Sequence, residues 1–467
     1  MSSPNPLHFA SSELWASHVA GQANFPDERL NARFGLVLAV LADRPMDTFP
    51  QATGTASQAK ALYRLLANQR LDSADFLQPL VDTTVDGCAS LRTVLAIQDT
   101  STINYAALEK TKGLGKINDT AALGLHLHTT LAVDIQGGLR GLLHQTCWSR
   151  CPDAGPKHGN HKRRPIEDKE SYKWLEGIDA AAAAFDALPA AQRPRLVHIF
   201  DREGDIHEVL QHIHGPRHGG IIRAAQNRSV AGEVNHAFDA VASAPLLGIQ
   251  VIDVPAKPGV KKRKAKLELR ALTLTITPCS QYPQRQPVTW TLVETRESAP
   301  PAGVPAVHWL LWTTEPASTV TQVREVLRCY KLRWLIEDFH LTLKSGCRIE
   351  ALRLKSAERL NKAITLYSGV AARLVALRDL ARRHPDAPCD SLLSTDQWHA
   401  LYCYFKGQRP PATMKPLTIR QAVLWIGRLG GHLNRKGDGM PGVRTLWRGW
   451  RDLTILVAGY CVGKTTA

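Results

Sequence analysis

Three acidic residues stand where the chain suggests chemistry. Asp99 ends an apolar run in Leu91 to Thr100 (LRTVLAIQDT), and Asp201 ends another in Leu196 to Gly204 (LVHIFDREG). Such runs read as buried strands whose carboxyl ends present an acid, the usual place for a site in an open α/β sheet. Glu337 lies in Tyr330 to Lys344 (YKLRWLIEDFHLTLK), which lacks Pro and Gly and repeats Leu332, Leu335, Ile336, Phe339 and Leu343 at helical spacing,. On the same wheel Tyr330, Arg333, Glu337 and Lys344, spaced +3, +4 and +7, form a second stripe. It lies roughly 130° round from the apolar one at about 100° per residue. Taken alone, the stripe also reads as a solvated face with ordinary ion pairs. Taken together, three carboxylates on two strands and one helix can hold hard divalent cations; Mg²⁺ prefers few carboxylates, several waters and phosphate oxygens.

The elements that must position these residues follow from periodicity. Residues 11 to 70 read helical, with Leu30, Phe34, Leu36, Val37, Val40 and Leu41 on one apolar face and AKALYRLL at Ala59 to Leu66 on another. Arg29, Arg33, Lys60, Arg64 and Arg70 lie off those faces. Residues 90 to 150 hold three strand-like runs, Leu91 to Gln98, Leu123 to Val133 and Leu139 to Cys147, the last two joined by the hairpin signal DIQGG,. A basic loop, PDAGPKHGNHKRRP, follows; then helix over Ile166 to Leu188, strand over Arg195 to Phe200, helix over Asp205 to Ile213 and strand over Gly220 to Ala225. Glu203 and Asp205 are expected to cap the helix after Asp201. Four β-like runs (Ile249 to Val254, Lys266 to Ile276, Val288 to Thr295, Val307 to Thr313) are joined by turn-rich segments. The basic run at Lys261 to Lys266 suits either a phosphate backbone or a solvated hairpin tip. From Pro316 on the chain reads helical: Thr319 to Lys344, Ala357 to Arg383, a Pro-bearing linker, then Thr395 to Phe405, Ile419 to Leu429 and Val443 to Leu456. Trp425, Trp447 and Trp450 suit a small core or a dimer surface. The sequence thus indicates α/β with a mixed sheet and helical segments at both ends.

The chain has 467 residues, enough for two or three domains, and a formal net charge of +16, which favours a polyanionic partner, nucleic acid first,. No apolar run reaches the length of a spanning helix, and the N-terminus lacks a signal-peptide layout, so a membrane partner is not expected. Nine cysteines without a C-x-x-C pair suggest reduced cytosolic thiols,. Cys147 with Cys151, and His158 with His161, are read as non-ligating.

Tyr330, Arg333, Glu337 and Lys344 match the Y-x2-R-x3-E-x6-K signature of bacterial cut-and-paste DDE transposases of the IS-four insertion-sequence family. QDTST around Asp99, GLLHQ at Gly141 to Gln145, DKES-KWL at Asp168 to Leu175, DREGDIH at Asp201 to His207 and RWLIEDFH at Arg333 to His340 agree with it in order. The chain resembles this family from about Ser11 to Trp450. The resemblance implies an RNase H-like catalytic core with an inserted β subdomain and helical N-terminal and C-terminal domains. The expected bounds are 1–72 for a DNA-end-binding domain, 73–375 for the catalytic domain with its insertion at about 235–315, and 376–467 for dimerisation. It implies catalysis and metal binding by Asp99, Asp201 and Glu337, with Asp201 the natural bridge. Two Mg²⁺ ions, with Mn²⁺ as a substitute, are the expected cofactors.

The same resemblance assigns DNA contacts. Arg333 and Lys344 hold phosphates, Tyr330 donates a hydrogen bond to another, and Arg223 and Arg64 (in the pair Tyr63-Arg64) contact end DNA. Trp309, in WLLWTTEP, matches a Trp that stacks on a flipped base during hairpin formation; Trp312, on the opposite strand face, is the alternative core member. The expected partners are double-stranded DNA, as transposon ends and target, and a second copy in a paired-end homodimer to which the tryptophan-bearing tail contributes. A cytoplasmic, nucleoid-associated location follows. A structure-specific nuclease and a non-catalytic DNA-binding derivative remain the alternatives.

Overall fold

The computed structural model describes residues 5–118, 122–150, 164–254, 261–279, 282, 285–435 and 437–465. Most of the basic loop expected at 152–165, with His158 and His161, lies outside them, as does Cys151. The chain opens with helices α1 (Ser12–Ala20), α2 (Glu28–Asp43), α3 (Phe49–Thr53), α4 (Ala56–Leu66) and α5 (Ser73–Cys88). Ser11, Asp27, Thr55 and Asp72 start four of them by accepting first-turn N–H groups,. In α2 the buried row is Phe34, Val37, Leu38 and Leu41. Leu36, expected on that face, is exposed, because two residues turn it about 200° from Phe34 and Leu38. Helix α5 is not among the expected elements. Its interior Pro79 and β-branched residues obscure the helical signal,.

Strands β1 (Thr93–Asn104), β2 (Gly115–Lys116), β3 (Leu123–Asp134) and β4 (Leu139–Trp148) come next. Helix α6 (Lys173–Ala183), β5 (Arg195–Phe200), α7 (His207–His212) and β6 (His218–Arg223) alternate after them. β1, β3 and β4 pair antiparallel, while β5 runs parallel to β1 and β6 parallel to β5. That is the order of an RNase H-like core, as expected. Helix α8 (Ala237–Ala242) and strands β7 (Gly248–Val254), β8 (Arg263–Ile276), β9 (Val288–Glu297) and β10 (His308–Thr313) make up the insertion. These strands do not stand apart as a separate sheet. β10 pairs antiparallel with β6, so the insertion continues the core into one ten-stranded sheet. Pairing there covers the backbone edge that β6 would otherwise expose.

The rest is helical: α9 (Val320–Lys331), α10 (Trp334–Leu341), α11 (Ala357–Arg383), α12 (Thr395–Lys406), α13 (Ile419–Leu429) and α14 (Val443–Thr465). Period-two alternation divides the sheet. Leu95, Ile97, Val197, Ile199, Ile221 and Leu311 join the core shared with α9, α10 and α11. Phe200, Ile222 and Trp312 pack with α6, α7 and α8, and Val94, Ala96 and Leu196 with α5 and α6. Helix α11 runs unbroken across the boundary expected at residue 375 and is buried over most of its length. No helix among the described residues is long and apolar enough to cross a membrane.

The tail corrects one expectation. Trp425, Trp447 and Trp450 are buried within their own chain: Trp447 and Trp450 meet Leu374 and Leu377 of α11, and Trp425 packs on Tyr402 and Phe405 of α12. They are core, not dimer surface, because the seams among α11, α12, α13 and α14 need large apolar side chains to fill them. The exposed apolar residues of the tail are instead Tyr404, Leu433, Ile455 and Val462.

Helices α13 and α14 touch backbone to backbone. A Cβ at Gly449 would lie 1.7 Å from the Ile426 carbonyl oxygen, whereas one at Gly459 meets nothing. We expect Gly449→Ala to lower Tm by the equivalent of about 1–3 kcal/mol of overpacking strain. Gly459→Ala, on the same helix, should hold or raise Tm. Thermal unfolding of the two variants checks the crossing.

Candidate active site

Strand register brings the expected acids into one row. Ile97 is level with Ile199 across the parallel β1–β5 pair, and Phe200 with Ile222 across β5–β6. Asp99 and Asp201 come two residues on from the first of these pairs, and Asp201 and Arg223 one residue on from the second. All three follow the alternation of Ile97, Ile199 and Ile221, and so belong to the face covered by α9 to α11. Asp201 directly follows β5, as expected. Asp99 does not end its strand: β1 continues to Asn104 against β3, and only its parallel partner stops. The acid is still presented, because the sheet opens where β5 ends.

The carboxylates feel one another. The Asp99 carboxyl is pushed up to about 7, first by burial and then by the charge of Asp201, with Glu337 adding a smaller push. The Thr100 N–H and Arg333 oppose the shift. Each aspartate is oriented by backbone: Asp99 accepts from Thr100 N at 2.8 Å, and Asp201 from Glu203 N at 2.8 Å.

Glu337 arrives on a segment that is not the single regular helix expected. Leu332, Arg333, Leu335 and Ile336 donate to carbonyls three residues back, a tightened turn between α9 and α10. After α10, residues Thr342–Gly346 widen into a π-turn, closed by Cys347 N on the Thr342 carbonyl at 2.8 Å. Such turns recur at functional sites. Here the tightened turn places Arg333 between two acids. Its Nη2 lies 2.5 Å from Glu337 Oε1 and its Nη1 3.9 Å from Asp99 Oδ2. The π-turn places Lys344, whose Nζ donates to the Thr102 carbonyl at 2.8 Å and stands 3.7 Å from Glu350.

A second cluster forms beside the row. Tyr330 is buried, its ring edge-on to Trp309 at 6.0 Å. The Arg223 guanidinium lies 5.7 Å from the Trp309 ring and donates to the His308 carbonyl. Burial raises the Tyr330 phenol, and Arg333 and Arg223 pull it back. Trp309 is half-buried, whereas Trp312 is fully enclosed on the other face. Arg64 stands apart, exposed on α4.

Sequence reading missed the layer behind the acids. The buried His340 has Nδ1 4.0 Å from Asp99 Oδ2, and burial lowers it to about 3, so the ring is neutral. His128, also driven neutral by burial, bridges Thr100 Oγ1 (2.9 Å) and Gln98 Oε1 (3.0 Å) beneath Asp99. The run EDFH carried a signal for His340, three residues after Glu337; nothing local marked His128. Among the described residues, no three His, Cys, Asp or Glu side chains are close enough to cage an ion by themselves.

The expected capping by Glu203 and Asp205 is also corrected. Helix α7 starts only at His207, and Ile206 precedes it without a side-chain cap. Glu203 faces Lys173 at 3.8 Å. Asp205 turns inward to Arg228 and the backbone after β6, because its buried carboxylate needs more donors than a helix start supplies.

Asp99 should therefore destabilise the free protein. A carboxyl raised from 3.8 to about 7 is protonated when folded but ionised when unfolded between those values. Stability then falls as pH rises from about 4 to 7 and stays low above it. We expect Asp99→Asn to raise Tm at pH 8 in EDTA, with the gain fading towards pH 4. Scanning calorimetry across that range reads it, and a gain independent of pH would contradict the burial of this charge.

Three family models match the chain. "Transposase DNA-binding" spans residues 12–71, which hold α1 to α4 and Arg64. "Transposase DDE domain" spans 155–372, which hold Asp201 and Glu337; Asp99 lies before it and is joined to it by β1–β5 pairing. "Transposase Tn5 dimerisation domain" spans 369–466. A helical DNA-binding unit, an RNase H-like core with its acids in register and a dimerisation unit thus follow one another along the chain, which has the make-up of a DNA-binding DDE transposase.

Proposed function

We propose that the protein is a cut-and-paste transposase of the IS-four insertion-sequence type, similar to that of the kanamycin-resistance composite transposon. In this reading it binds terminal inverted repeats, cleaves both strands and joins the 3′ ends to target DNA. The observation that carries it is that Asp99 and Asp201 each stand two residues beyond the level pair Ile97 and Ile199 of the adjacent parallel strands β1 and β5, with Glu337 tethered beside them through Arg333. Residues 1–72 act as the end-binding domain, 73–375 as the catalytic domain and 376–467 as the dimerisation domain.

The donor set suits Mg²⁺, with Mn²⁺ as a substitute. All three ligands offer hard carboxylate oxygens, and the Asp99 carboxyl, raised first by burial and then by the charge of Asp201, would be relieved by a cation,. Two such ions would acidify the attacking water and offset charge on the leaving oxygen. The chain's own part is positional. Asp99, Asp201 and Glu337 hold the ions. Arg333 orients Glu337 and turns its remaining N–H groups to a phosphate, Lys344 holds a neighbouring one, and Tyr330 donates to a third. Arg223, Trp309 and Tyr330 form a ledge beside the acids on which a base flipped from the end stacks, easing the bend into a hairpin. Arg64 contacts the repeat through the N-terminal helices. The second copy docks on the exposed stripe of Ile455 and Val462 with Tyr404 and Leu433, a surface within the matched dimerisation domain.

Two experiments test this. Glu337→Gln should drop cleavage of an end fragment below roughly a tenth of the parent rate. It should leave gel-shift affinity within a few-fold, since phosphate contacts dominate binding. Retained cleavage would remove Glu337 from the site. On pre-nicked end DNA, Trp309→Ala should remain folded and nicked but stall before the hairpin. Trp312→Ala should instead lose about 3–5 kcal/mol of stability as a core truncation. Normal hairpins from folded Trp309→Ala would end the stacking role.

A further inference from the structure

Asp205 is a fully buried carboxylate four residues after Asp201, and it is saturated with donors. Its Oδ2 accepts from the backbone of Ala225 (2.7 Å) and Gln226 (3.0 Å). Its Oδ1 accepts from Arg228 Nε (3.0 Å) and Nη2 (2.6 Å). Its carbonyl oxygen accepts from Arg228 Nη2 again (2.6 Å) and from Gln226 Nε2 (3.3 Å). Arg228 is itself nearly enclosed. One end of this clamp holds the turn that begins at Asp201. The other holds the chain two residues beyond Arg223, as it leaves β6.

Buried ion pairs are poor sources of net stability compared with apolar packing, so stability alone does not explain this one. We propose that Asp205 is a positioning residue. It locks the Asp201 turn to the exit of β6, so that the catalytic acid and the DNA-contacting Arg223 keep one fixed spacing. This rests on the roles given to Asp201 and Arg223 above.

The fold supplies its own control. Asp134 is an equally buried carboxylate that accepts from Gln136 N, Gly138 N, Arg140 and Arg383. It is level with Val94, five residues along β1 from Asp99, or about 17 Å,. Asparagine at either position sets an N–H against donors, so Asp205→Asn and Asp134→Asn damage the fold in the same way. Only the first touches the proposed coupling.

The test measures end-DNA binding and cleavage at saturating DNA, below the Tm of every variant, on a duplex carrying the terminal inverted repeat that bounds the gene. Asp205→Asn should weaken binding about fivefold and slow cleavage about tenfold or more. Its binding loss should vanish in an Arg223→Ala background, because the two residues act through one contact. Asp134→Asn should change neither quantity beyond about twofold. If Asp205→Asn does not fold, Arg228→Lys, which keeps the charge and gives up the fork, is put through the same cycle. Equal binding losses in the two backgrounds, or an Asp205→Asn indistinguishable from Asp134→Asn, would overturn the proposal. The binding cycle reads the coupling even without cleavage, so an inactive parent protein would count against the reaction and not against the clamp.

Discussion

The structure turns on negative charge held out of water. Asp99 and Asp201 are brought together where β1 runs on past the end of β5, on the face covered by helices, and cannot both carry a charge there cheaply. The cost appears in the Asp99 carboxyl, raised first by its own burial and then by the charge of Asp201. Arg333 offsets part of it, and only part, because the same guanidinium is drawn closer to Glu337. A site built this way is poorly satisfied when free, the general pattern of strain kept at functional sites.

Holding the third acid over that row falls to α11. It packs along the main core and ties three buried cations to its neighbours. Lys362 donates to the Asn68 carbonyl and Arg373 to those of Leu7 and Phe9, which ties it to the N-terminal helices. Arg378 meets Asp338, the neighbour of Glu337, at 2.5 Å. Burying these cations is costly unless each is paired, so their bonds also fix register between parts. The tail continues the support: a Cβ on Gly346, at the end of the π-turn, would lie 2.8 Å from the Trp447 ring. The turn that carries Lys344 thus rests on the segment matched as a dimerisation domain.

Much of this was legible in order. The runs ending at Asp99 and Asp201, the hairpin at DIQGG and the long helix Ala357–Arg383 depend on local periodicity and turn residues, which act within a few positions. The four-residue stripe was likewise visible, since Tyr330, Arg333, Glu337 and Lys344 do share the side of the segment that meets the acids.

What tertiary structure alone decided is how far each element runs and what its far side meets. Asp99 lies mid-strand because β3 continues beside it, a partner no local pattern announces. The signature segment breaks into a tightened turn, a helix and a π-turn because it must satisfy Asp99, Thr102 and Trp447 at once. The insertion joins the core sheet because β6 had an edge to fill. The tail tryptophans became core, since composition cannot tell a residue filling a seam in its own chain from one waiting for a partner. Asp205, which read as a helix cap, became a clamp once Arg228 folded back onto it. Sequence determines the residue types and their spacing because propensity and periodicity are local. Contact depends on which surfaces the whole chain brings together, and that is set only when the sheet and α11 have assembled.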